Sequence, residues 1–83
     1  MTYEIKATFN MKDGRTVKYS HIATSIELTN KGENGAIKYQ QEGKKRYTWL
    51  EFPNEYQMKN YYESVEVIIT EATTGRRIYT WYL

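Results

Sequence analysis

Apolar residues recur at every second position through most of this chain, and short glycine-bearing segments break the alternation at intervals. A period of two places alternate side chains on opposite faces of an extended chain, which is the pattern of half-buried strands. From Thr2 to Asn10, Tyr3, Ile5, Ala7 and Phe9 share one face, and Glu4, Lys6 and Thr8 share the other. Lys12-Asp13-Gly14 supplies turn chemistry before the alternation resumes over Thr16–His21. A two-residue turn would set Phe9 opposite Lys18 and waste the apolar face. A three-residue loop with Gly14 left-handed sets Phe9 opposite Val17, Ala7 opposite Tyr19 and Ile5 opposite His21. A one-residue slip flips every side chain, so the second arrangement is expected.

The same argument applies twice more. A four-residue loop over Lys31–Asn34 places Leu28 opposite Ile37 and Ile26 opposite Tyr39. A three-residue loop, Glu42-Gly43-Lys44, then places Tyr39 opposite Tyr47 and Ile37 opposite Trp49. These hairpins make a five-strand run with a bend near Ala23. Pro53 ends it, because proline cannot donate to a ladder. Asn54 and Gln57 have the spacing of a capping box, and Met58, Tyr61, Tyr62 and Val65 fall on one helical stripe. A helix is expected over about 54–63. A last hairpin joins Ser64–Glu71 to Arg76–Leu83, with Val67, Ile69 and Tyr82 on one face and Ile68, Tyr79, Trp81 and Leu83 on the other. Its two apolar faces imply a strand pair covered on both sides.

The expectation is therefore one mainly β domain over residues 1–83. About seven antiparallel strands form a meander, shaped as a strongly bent sheet or a partly open small barrel, with the helix before the last hairpin. Phe9, Val17, Ile37 and Trp49 are expected in the core. A chain of this length buries only about two-thirds of its unfolded surface, so its core is thin and encloses no deep cleft. Nine tyrosines in 83 residues, against an ordinary usage near ~3%, help to stretch that core, since each aromatic ring buries ~150–250 Å².

Composition narrows the chemistry. The absence of cysteine removes disulfides, thiol nucleophiles and thiolate metal sites. The single histidine, His21, stands in an alternating strand opposite Ile5 and reads as a partly buried structural residue rather than a base or a ligand. Ser20 points away from His21, so no dyad forms. Asp13, Glu33, Glu42 and Glu71 lie in or beside turns as solvated charges, and no phosphate loop is present. No enzyme activity, cofactor or metal is expected. The N-terminal segment has no apolar signal region, and no apolar run is long enough to cross a membrane as a helix. The reading is a complete small bacterial or phage product located in the cytoplasm of the bacterial cell or infected host.

Binding is the remaining class. Twelve basic against ten acidic side chains leave a net charge of only +2, too weak a balance to imply nucleic acid by itself. The basic residues stand at hairpin tips, where Lys and Arg also serve simply as solvated, edge-protecting charges. One expected surface combines Tyr79, Trp81 and Leu83 with a rim of Arg76 and Arg77, and takes a protein partner or a second copy. Trp, Tyr and Arg dominate such interfaces. On this reading the chain is a small binding module for protein recognition, of the kind a phage uses as an accessory or inhibitor of a host factor. The alternative is single-stranded nucleic acid on the strand aromatics and basic tips, with Lys44, Lys45 and Arg46 at phosphates and Tyr47 and Trp49 under bases.

Overall fold

The computed structural model describes residues 2–83. Its strands are β1 (Tyr3–Met11), β2 (Thr16–Lys31), β3 (Asn34–Gln41), β4 (Tyr47–Glu51), β5 (Tyr62–Glu71) and β6 (Arg77–Tyr82), with one helix, α1 (Glu55–Asn60), before β5. All six strands belong to one antiparallel sheet in the order β4-β3-β2-β1-β5-β6. The sheet is not closed. Six strands replace the expected seven because the segments on either side of Ala23 are one strand. β2 pairs with β1 through its first half and with β3 through its second. A register shift between Ala23 and Ser25 marks the bulge at which it bends.

The meander is also interrupted. After α1 the chain crosses to the far side of β1, where Phe9 faces Val65, Ala7 faces Val67 and Ile5 faces Ile69. β1 thus lies between β2 and β5, and its inner row Ile5, Ala7 and Phe9 is buried. The core comprises this row, Val65, Val67 and Ile69 of β5, Ala23 of β2, and Ile37 and Tyr39 of β3. The bend in β2 turns the inner faces of the two halves of the sheet toward each other.

The first hairpin has the expected register, Phe9 to Val17, Ala7 to Tyr19 and Ile5 to His21, and Gly14 is left-handed at φ 92. The second also pairs Ile26 with Tyr39 and Leu28 with Ile37, although its ladder continues to Lys31 and Asn34 and leaves a turn of two residues. Gly32, at φ 63, takes the first turn position, where a tight hairpin of the II′ type needs positive φ.

Two registers differ from expectation, and each flips a face. Between β3 and β4 the loop holds more residues than Glu42-Gly43-Lys44. The Gln40 side-chain amide donates to the carbonyls of Lys44 and Lys45 at 3.0 and 3.3 Å and spans it. Tyr39 therefore faces Thr48, and Ile37 faces Leu50. Leu50 turns inward, and Tyr47 and Trp49 turn outward. In the last hairpin, Thr70 pairs with Arg77 but Ile69 pairs with Tyr79, so Ile78 is an extra residue in a bulge. Without it Val67 and Ile69 would share a face with Ile78 and Tyr82, as expected. With it, Tyr79, Trp81 and Leu83 join the inner face, opposite Ile69, Val67 and Val65.

Helix α1 begins where the sequence places it. Asn54 accepts the Gln57 backbone N–H at 2.8 Å, and the Gln57 side chain accepts the Asn54 N–H at 3.0 Å. It ends at Asn60, short of the expected 63, because Tyr62 already pairs with Met11 on β1. Met58 packs on the core, whereas Tyr61 is exposed and forms an edge-on pair with Tyr56.

Candidate functional site

Two surfaces are built from the aromatic residues. The first is a groove on the inner face. Val17 and Tyr19 belong to the inner rows that bury Phe9 and Ala7, yet they remain 37% and 45% exposed. Among the described residues no element covers the first half of β2. The uncovered strip forms the floor of an open cavity of about 570 Å³, walled by β4 from Thr48 to Glu51 and closed at one end by Phe52, Pro53 and Gln57. Its rings pack as a continuous surface. Phe9 meets Tyr19 edge-on at 5.7 Å and Tyr62 at 5.7 Å, Tyr19 stacks on His21 at 6.3 Å, and His21 lies 5.7 Å from Tyr39. The histidine thus sits opposite Ile5, as expected, but it packs among tyrosines. Burial raises the Tyr39 hydroxyl above its ordinary pKa, since desolvation disfavours the phenolate.

Beyond Phe52, toward β6, the inner face is sealed. The Phe52 ring stacks on Trp81 at 4.5 Å with an interplanar angle of 10°, and on Tyr79 at 6.5 Å. Tyr79 and Trp81, expected at an exposed interface, are therefore packed against the core. Of the expected partner surface, Leu83, Arg76 and Arg77 remain exposed. Arg76 lies 3.8 Å from Glu71. The apolar groups that β6 exposes on the outer face are Ile78 and Tyr82.

The second surface is the outer face of β3 and β4. The register that sends Tyr47 and Trp49 outward sets Gln40 beside Tyr47 and Lys38 beside Trp49. Lys38 Nζ lies 4.5 Å from the Tyr47 ring centre and 5.5 Å from that of Trp49, while Lys31 Nζ lies 5.5 Å from Trp49. The two rings are 50% and 40% exposed. Lys44, Lys45 and Arg46 lie exposed at the adjoining tip. The expected set Lys44, Lys45, Arg46, Tyr47 and Trp49 thus occupies one hairpin. Lys31, at the tip of the preceding hairpin, and Lys38 join it, and cross-strand geometry is what brings them to the rings. Glu27 shares the face, opposite Lys38, and tempers its charge.

Among the described residues no cluster of His, Asp and Glu has the arrangement of a metal site. Among the same residues no helix is long and apolar enough to cross a membrane. Comparison of the chain with protein-family models, with curated proteins and with solved structures gives no match.

Proposed function

We propose that this chain is a non-enzymatic module for protein recognition, and that its binding surface is the open groove over the first half of β2. One observation carries the reading: Val17 and Tyr19 stand on the core-facing side of the sheet and are exposed. A thin domain has little reason to leave core-facing rings uncovered, and uncovered apolar surface of this kind marks interaction sites. The groove offers rigid aromatic rings with polar tips, which give large contact area at low entropic cost. This moves the protein-binding surface away from Tyr79 and Trp81, which stack on Phe52. The reading makes the chain an accessory or inhibitor protein that acts by occupying its partner.

The test is capture of a partner from host lysate after nuclease treatment, by the native chain and by Tyr19→Ala. The variant should keep its melting midpoint within a few degrees and lose the captured protein. Tyr82→Ala, on the outer face of β6, should retain it. A partner held equally by Tyr19→Ala would sink the groove reading.

The lysine–aromatic row supports a second reading, single-stranded nucleic acid on the outer face of β3 and β4. Exposed rings give stacking platforms, and the neighbouring ammonium groups neutralise phosphates. Its signature is a steep fall of log affinity with log salt, lost in Trp49→Ala. A salt-independent complex excludes it.

A further inference from the structure

Among the described residues each half of β2 is paired on one edge only, and the free edge of the first half borders the groove. In an antiparallel strand the N–H and C=O of one residue point to the same side, and successive residues alternate. The Met11 N–H donates to the Arg15 carbonyl at 2.8 Å, and the ladder continues through Phe9–Val17, Ala7–Tyr19 and Ile5–His21. The backbone groups of Val17, Tyr19 and His21 therefore point at β1, and those of Thr16, Lys18 and Ser20 point away from it. Ile22, next in that series, gives the direction independently: its carbonyl accepts the Glu42 N–H at 2.8 Å, where the β3–β4 loop begins. β3 reaches no further than Ala23 along β2. Thr16, Lys18 and Ser20 are exposed and have no strand partner on that side among the described residues.

We propose that an extended segment of a partner protein adds here as a strand, pairing its backbone with Thr16, Lys18 and Ser20 beside the groove. The inference rests on the protein-recognition reading and gives the partner a chemistry. Alternate side chains of the added strand fall beside Val17 and Tyr19 on the aromatic floor, so these positions are apolar. The intervening ones fall on the outer face beside Lys18, so these are acidic. Strand addition takes its affinity from main-chain bonds and its specificity from alternate side chains. A second copy of this chain fits poorly. The two-fold register that uses all three residues sets Lys18 directly against its own copy, and like charges so placed repel. An edge lysine therefore blocks self-pairing while favouring an acidic strand.

Amide hydrogen exchange of the full chain tests this, read alone and with two synthetic peptides, one alternating Val with Glu and one alternating Val with Lys. The Val–Glu peptide should slow exchange at Lys18 and Ser20 by about tenfold or more, as closure of exposed amides requires, and the Val–Lys peptide should not. The amides of Val17 and Tyr19 should be slow in every sample. Lys18→Pro should retain the fold, because an edge proline whose missing N–H faced solvent is tolerated, and should abolish the protection at Ser20. Peptide-induced changes confined to groove side chains, with the edge amides still fast, would overturn strand addition and leave the groove reading standing. Absence of any effect from either peptide also overturns it, and capture with Tyr19→Ala then decides the groove reading separately. Concentration-dependent protection without peptide would assign the edge to a second copy and overturn the proposal.

Discussion

Trp81 shows how much one residue's meaning depends on the face it takes. Its ring lies flat on Phe52 and packs against the core, so truncation removes a contact between the two ends of a bent sheet. Trp81→Ala should cost about 2 kcal/mol or more, below the ~3–5 kcal/mol of a fully buried aromatic because the ring is only partly covered. A thermal melt unchanged by the substitution would show that the stack contributes little. Tyr39 gives a pH signature. Its folded-state pKa lies above the ordinary value of 10.0 because burial penalises the phenolate. The unfolded chain therefore loses this proton first, and the stability that the group contributes, whole below pH 10, falls as pH rises through the folded value. Tyr39→Phe should flatten that alkaline decline in urea midpoints; an identical decline in the variant would assign it to other groups.

Turns and bulges act on whole elements. Gly14 holds φ 92 at the tip of the first hairpin, with no atom near its missing Cβ. Gly14→Ala should thus cost about 1 kcal/mol through backbone conformation alone, read as a lower melting midpoint with an unchanged m-value. Gly35 is different, because its φ is ordinary and the constraint is space. A Cβ there would stand 3.2 Å from the Phe52 ring, whose backbone N–H donates to the Gly35 carbonyl at 2.8 Å. Gly35→Ala should shift Phe52 by a few tenths of an ångström and loosen its stack on Trp81. Near-ultraviolet circular dichroism should report that loosening while far-ultraviolet strand content persists; a preserved aromatic signal would mean that the ring yields without unstacking.

At the scale of the whole molecule, order should decline outward from β1. That strand is paired on both sides along its length, and with β5 it supplies most of the buried aliphatic core. β4 is a five-residue edge strand, and α1 has no buried residue. Amide exchange should therefore be slowest in β1 and β5 and fastest in α1 and β4. Equal protection throughout would show that the bent sheet opens only as one unit. The same gradient places the proposed binding surface at a boundary: Val17 and Tyr19 are anchored to β1 by their backbones and free above it.

What was legible in the chain was local. Hydrophobic alternation with Gly14 set the register of the first hairpin, because only one loop length kept Phe9, Ala7 and Ile5 opposite partners on the apolar face. Ile26 and Leu28 did the same for the second, and Asn54 with Gln57 marked the helix start. In each case the partners lie within one turn of chain. The candidate site was legible only as residue types. Tyr47, Trp49, Tyr79 and Trp81 were visible as aromatics near basic tips, but their faces depended on one extra residue in a loop and another in a bulge. A period of two converts any such residue into a reversal of inside and outside. The tertiary structure decided the rest. β5 crosses to β1 because β1 has a second edge to satisfy. The bend in β2 brings Phe52 over Trp81, and the same bend leaves Val17 and Tyr19 uncovered. No local pattern encodes which stretch of an apolar face will lack a cover, because that depends on where distant elements end.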